Sequence, residues 1–314
     1  MESSFDHFLS YYQKYGKYPI QKIESSYYSN GIWTRIKAIF EIKKRAGEVN
    51  HITGDVHFLT FGLPKKRTIL TIHDCGFMQH PSAVARFILK LLWLKLPEKN
   101  CEYITTVSEV TRQEVIKYTN CSPEKVVVIP TLIQPFFQRV DKPFNNLKPR
   151  ILHIGLKPNK NFARHVQAIA GLACHFHIIG KLKKEHFSLL ETYQIDYSYQ
   201  HNISDAAMLQ AYIDADIMLF ASTFEGFGMP IVEAQTIGRV VVTSQLSSMP
   251  EIAGDGAIFV NPYEVQSIRS GILNAIEKQE YRQAIIKKGF KNVKRFSVET
   301  VAGQYENLYQ SLQQ

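Results

Sequence analysis

From Arg150 onward, short runs of β-branched and aromatic residues alternate with stretches in which apolar residues recur every three or four positions. The runs at 150–155, 175–180, 196–202, 216–222, 239–245 and 257–262 predict strands. Those at 160–172, 182–194, 204–215 and 229–238 predict the helices between them. Strands separated by helices must be parallel and joined by crossovers, so the second half is expected to form a doubly wound α/β sheet. Several strands end in small or polar residues, Gly155, Gly180 and Ser222, and ligands of open α/β sheets bind outside those carboxyl ends.

The first half alternates less cleanly. A polar helix is expected from Ser4, a strand at 18–24, a helix at 30–47, strands at 49–55, 67–74 and 101–108, a helix from Glu109 and a strand at 125–130. The stretch KPFNNLKPR, 142–150, has two prolines, two asparagines and no periodicity, and reads as the linker between halves. After Asn261 the chain is helical to its end, the last helix opening at a Ser297 cap. The expected domains are therefore 1–146 and 147–296, with a C-terminal helix, 297–314, packing back toward the first. The length, 314 residues, fits two domains at roughly 150 each. The segment 84–97, VARFILKLLWLKLP, shows no single apolar face on a wheel at about 100° per residue. It is expected to be wedged between other elements rather than to lie on a membrane surface.

Composition changes this picture little. Hydrophobic residues make up 45% and charged residues 21%, too apolar for a disordered chain. Charge adds more. Of the net +9, an excess of 20 Lys+Arg over 13 Asp+Glu lies before residue 148, against 17 over 15 from that residue onward. An anionic partner is therefore expected for the first half. No basic run interleaved with aromatics is present, which argues against nucleic acid. The N-terminus lacks the basic start and apolar core of a secretory signal, and no apolar run reaches the roughly 18 residues of a membrane span, so a cytoplasmic chain is expected. Cys75, Cys101, Cys121 and Cys174 match neither a metal knuckle nor a disulfide framework, and are read as reduced thiols.

The richest chemistry lies between Asp216 and Pro262. A buried strand leads into Thr223-Phe224-Glu225-Gly226-Phe227-Gly228, then into a helix opened by Met229-Pro230 and closed by Gly238. A helix N-terminus behind small residues presents free N–H groups and positive dipole, a place for phosphate. Glu225 in the loop and Glu233 in the helix can each accept paired hydrogen bonds from sugar or ribose hydroxyls. Asp214-Ala215-Asp216, the sole Asp-x-Asp, is read as capping rather than metal-binding, and no metal or cofactor is expected.

The segments FEGFGMPIVEAQTIG and SSMPEIAGDGAIFVNP resemble the signature of retaining glycosyltransferases of family 4. ILHIGLKPNKNFARHVQAI, RTILTIHDCGFMQHP and ITTVSEVTRQEVIKY extend the resemblance over most of the chain. It implies the GT-B fold, two Rossmann-like doubly wound domains facing a central cleft, and a nucleoside diphosphate sugar, of uridine or guanosine, as donor. Glu225 would contact the transferred sugar, and Gly226, Phe227, Gly228 and Met229 would cradle it with its phosphate. Glu233 would hold the ribose. Lys160, with Gly155 and Lys157 beside it, would neutralise the diphosphate, and His73 would act from the first domain. The acceptor would be a glycan or lipid-linked, with peripheral contact at an anionic membrane face left open. The resemblance also implies retention without a metal; a glycosidase would need carboxylates flanking the bond, which Glu225 and Glu233 are poorly arranged to do. Two departures stand out. No opening strand with a glycine-rich loop precedes residue 18, and Leu156 replaces the usual arginine, so a non-catalytic scaffold of the same fold is the alternative.

Overall fold

The computed structural model describes residues 2–27 and 29–313. They fall into two compact units, Met1–Gln134 with Phe296–Gln314, and Pro135–Arg295. In chain order the first unit contains helices α1, Glu2–Tyr15, and α2, Ile32–Lys44; strands β1, Asn50–Ile52, and β2, Thr68–Ile72; and helix α3, Ala83–Leu89, which continues through a π-helical turn, Lys90–Lys95, into α4, Leu96–Lys99. Strand β3, Tyr103–Thr106, helix α5, Glu109–Thr119, and strand β4, Val126–Val128, complete its sheet. The four strands pair in parallel in sequential order, Leu70 lying opposite both Ile52 and Ile104. All five residues of β2 are buried, as expected for a strand covered on both faces.

Helix α5 starts where Ser108 accepts a hydrogen bond from the Thr111 amide, and stops at Asn120 in the left-handed conformation. The expected strand at 18–24 does not form. Tyr18 and Ile20 instead pack on the cluster of Phe8, Tyr12, Tyr305 and Tyr309, which uses an alternating pattern without a ladder partner. The segment 84–97 is also corrected: it is helical but not wedged. Leu94 is fully buried, yet Val84 and Phe87 are about two-thirds exposed. A helix apolar all round buries whichever face meets a neighbour, and a wheel cannot say whether a second neighbour exists.

The second unit comprises β5, Arg150–Ile154; α6, Phe162–Ile169; β6, His175–Ile179; α7, Lys184–Thr192; β7, Tyr197–Gln200; α8, Asp205–Asp214; β8, Ile217–Phe220; α9, Met229–Ile237; β9, Val240–Ser244; α10, Met249–Ala253; β10, Ile258–Val260; α11, Val265–Glu277; and α12, Gln279–Asn292. Its six strands are parallel in the order β10-β9-β8-β5-β6-β7. The chain winds outward from β5 in one direction and from β8 in the other, so the β5–β8 junction is a topological switch point with a crevice at the carboxyl ends. One core of Ile151, Phe176, Leu219, Val242 and Ile272 runs through the sheet and its helices.

The boundary expected at 146/147 lies inside this unit. Asp216, only 4% exposed, accepts from Lys142 Nζ (2.6 Å) and the Asn145 amide (3.2 Å) on one oxygen, and from the Arg150 amide (2.8 Å) on the other. Residues 142–150 are therefore fastened to the second unit rather than free between units. The second member of the Asp-x-Asp is engaged in holding its own chain. Finally α13, Val298–Ser311, begins at the Ser297 cap and packs on α1 within the first unit. His51 ties it to the sheet, its Nδ1 at 2.8 Å from Tyr309 OH and its Nε2 at 2.7 Å from Thr71 Oγ1.

Candidate active site

The two loops leaving the switch point, 155–161 after β5 and 221–228 after β8, are bound to each other. Thr223 donates its amide to the Asn159 carbonyl (2.8 Å), and Asn159 Nδ2 returns a bond to the Phe224 carbonyl (2.8 Å). Asn161 Nδ2 reaches the carbonyls of Ala221 (3.0 Å) and Pro262 (2.6 Å). Across this seam Lys160 Nζ meets Glu225 Oε1 at 2.7 Å, and lies 4.5 Å from the centre of the Phe220 ring. Both side chains are mostly shielded, at 17% and 13% exposure, so the attraction between them is less screened than in an open surface bridge.

Gly155 makes room for this lysine. Its φ of +87° disfavours any side chain, and an added Cβ would come within 3.2 Å of Lys160 Cε. Lys157 is exposed, and no carboxylate pairs with it among the described residues. The acidic loop is held from below: Ser247 and Ser248 hydroxyls donate to the Glu225 carbonyl (2.7 and 2.9 Å), and Ser248 also to that of Phe227 (2.8 Å). Gly228, at φ +109°, turns the chain into α9, whose first residues are Met229 and Pro230. The N-terminus of α9 thus follows Glu225 within four residues, and a helix N-terminus favours an anion, so the loop brings such an end close in sequence to the Lys160–Glu225 pair.

Glu233 is one turn further along α9. Its Oε2 accepts from Tyr212 OH at 2.5 Å. Burial of the carboxyl pushes its pKa up to about 7, partly offset by the Tyr212 bond, although the residue as a whole keeps some surface. Tyr199–Ile203 span the end of the edge strand β7 and the residues after it, and Gly180 donates its amide to the Gln200 carbonyl (2.7 Å).

Gly155, Lys157, Lys160, Glu225, Gly226, Phe227, Gly228, Met229 and Glu233 therefore all lie on the loops and helix around one switch point. His73 belongs to the other unit. It directly follows β2 and is nearly buried, Nε2 bonded to the Thr53 carbonyl (2.8 Å), with the Phe5 ring edge-on at 6.4 Å. With that proton placed by the carbonyl, a neutral His73 keeps Nδ1 as an acceptor.

Sequence reasoning missed the residues that organise the seam: Asn159, Asn161, Ser247, Ser248, Tyr212, and a buried pair, His153 and His165. The imidazoles of that pair touch through Nδ1 at 3.0 Å, His153 reaching the Gly155 carbonyl (2.7 Å) and His165 that of Ala221 (3.3 Å). Burial lowers the pKa of both, His165 to about 4, and two neutral imidazoles carry two ring protons between them, so two of these three contacts at a time are hydrogen bonds. Asn161 and Ser248 carry a weak local signal, since each stands just before a helix; the others carry none.

The family described as glycosyl transferases group 1 matches residues 136–292, half of the chain. The chain is 27% identical over 286 residues to the O-antigen chain mannosyltransferase B of Escherichia coli, covering 82% of this chain and 74% of that protein. It is 24% identical over 257 residues to the O-antigen chain mannosyltransferase RfbU of Salmonella typhimurium, covering 79% and 69%. Anabaena HepE, solved in complex with UDP and glucose, superposes with a TM-score of 0.75 over 88% of this chain and 81% of its own, at 16% identity. The switch-point crevice with its crossed loops, the matched family and these relatives lead to one conclusion: the chain belongs to the glycosyl transferases group 1 and is a glycosyltransferase with the GT-B pair of Rossmann-like domains.

Proposed function

We propose that this enzyme transfers a hexose from a nucleoside diphosphate sugar to a glycan or lipid-linked acceptor, with retention at the anomeric carbon and without a metal ion. The observation that carries the reading is the Lys160–Glu225 pair beside the N-terminus of α9. The pair supplies the two partners a nucleotide sugar needs: a cation for its phosphates and an acceptor for its sugar hydroxyls. When the donor binds, Lys160 Nζ turns from Glu225 to the diphosphate, joined by the α9 amides, and Glu225 takes up hydroxyls of the sugar. Glu233, once ionised, accepts from the ribose.

In the reaction the acceptor oxygen bonds to the anomeric carbon while the bond from that carbon to the phosphate oxygen breaks. The acceptor proton passes to the departing phosphate on the same face. The side chains contribute orientation and charge stabilisation, which is where most of the rate is expected to arise. His73 is assigned to the acceptor side, its free Nδ1 accepting a hydroxyl proton in a hydrogen bond. The two O-antigen mannosyltransferases favour mannose as the sugar and a polysaccharide or its lipid-linked precursor as the acceptor. Release of nucleoside diphosphate from uridine and guanosine sugars, with and without lipid-linked acceptor, tests the reading. Turnover that Glu225→Ala lowers by about a hundredfold or more is expected. Donor binding with no transfer to any acceptor would return the scaffold alternative, and no binding of either nucleotide would sink the donor site.

A further inference from the structure

The α3 helix and the π-helical turn after it carry an apolar stripe that faces water. Val84, Phe87, Ile88, Leu91 and Leu92 are all exposed, at spacings of three, four, seven and eight, while Leu94 on the other side is buried. The π turn contributes to this division, setting Leu94 inward while Leu91 and Leu92 stay outside; such turns recur at functional sites. Helix α2 presents a matching stripe, Trp33, Lys37, Phe40 and Lys44, with Trp33 three-quarters exposed. The two helices meet over the segment His57–Gly62, where Arg35 lies 4.9 Å from the Trp93 ring centre and 5.7 Å from that of Phe58. Both exposed apolar sets therefore flank the segment His57–Gly62, which adds the exposed Phe61, and clustered exposed apolar side chains of this kind mark interaction sites.

Its charge says what covers it. No carboxylate occurs between Asp74 and Glu98, whereas Arg86, Lys90 and Lys95 fall within that interval. Among the described residues no acid pairs with these three or with Lys37, Lys43 or Lys44; Arg86 donates only to the His80 and Pro81 carbonyls (2.7 and 2.9 Å). On α2 the single acid, Glu41, is held by Ser25, Ser26 and Arg45. A second copy of the chain would set these cations against their own kind. We propose that this face docks on an anionic bilayer surface, with Trp33, Phe87 and Leu91 at the boundary of headgroups and acyl chains and the lysines on lipid phosphates. The surface is distinct from the donor crevice and would hold the enzyme where lipid-linked acceptors are found.

The test is sedimentation of the full chain with vesicles of phosphatidylcholine alone or mixed with phosphatidylglycerol. Binding is expected only to the mixed vesicles, and to weaken as salt is raised. Phe87→Asp combined with Leu91→Asp should bind at least about tenfold more weakly. Lys37→Glu should reduce it about fivefold or more at low salt. Circular dichroism and nucleotide binding should match wild type in each variant, since these side chains lie outside the core. Equal association with both vesicle types, or undiminished binding by the double variant, overturns the proposal. So does a concentration-dependent dimer that the double variant dissolves, which would name a second copy as the occupant. No turnover is required, so failure here leaves the donor-site reading untouched.

Discussion

In the proposed reading Glu233 accepts ribose hydroxyls as a carboxylate, while its burial holds the carboxyl near 7, up from the ordinary 4.5. With a pKa there, about one-tenth of the molecules carry the charge near pH 6 and about nine-tenths near pH 8. If the ionised form alone accepts both ribose hydroxyls, apparent affinity scales with that fraction, giving about tenfold tighter donor binding at the higher pH, or about 1.4 kcal/mol. The assay is calorimetric titration with an intact nucleotide sugar, whose two phosphates have no second ionisation in this range. Glu233→Gln should bind weakly and with a flat pH profile. Tyr212→Phe removes the bond that favours the charged form, so its midpoint should move to higher pH. Stability moves the opposite way: a raised carboxyl pKa contributes stability below about 4.5 that is lost as pH rises through about 7, so Glu233→Gln should gain on wild type across that window. Equal affinity at both pH values in wild type, or an unchanged slope in Glu233→Gln, would refute the reasoning.

Three other outcomes are expected. Glu225→Gln should lose turnover while binding free nucleoside diphosphate about fivefold more tightly, because Lys160 no longer has a competing carboxylate; calorimetry against turnover separates the two effects. Gly155→Ala should destabilise the fold by about 1–2 kcal/mol in urea titration, from the positive φ and the contact with Lys160, and should weaken donor binding as that side chain is displaced. Asp216→Ala leaves Lys142 with only the Asp214 carbonyl and unpairs two backbone amides, and should cost about 3 kcal/mol, with new proteolytic cleavage within residues 142–150 as the local readout.

Much of the candidate crevice was legible in the sequence because its signals are local. Gly226, Gly228 and Pro230 mark a turn into a helix start by backbone requirements alone, and the alternation after Arg150 marks parallel strands by periodicity. The first unit was less legible. Its strand at 18–24 has a strand-like pattern but no neighbour to pair with, and its helix at 84–97 is apolar on faces that meet protein and water alike.

By itself, then, the sequence determined the parallel α/β architecture and the acid-and-glycine loop at the end of a strand, since each depends on residues within a few positions of one another. Only the tertiary structure decided that Lys160 pairs with Glu225, 65 residues away, that Asp216 anchors the chain segment read as a linker, and that Tyr212 shares a buried hydrogen bond with Glu233. It also decided that the apolar stripe of α3 is uncovered. Periodicity records which residues of one element avoid water. Ion pairing, protonation and exposure depend on what the rest of the chain brings to that residue through space.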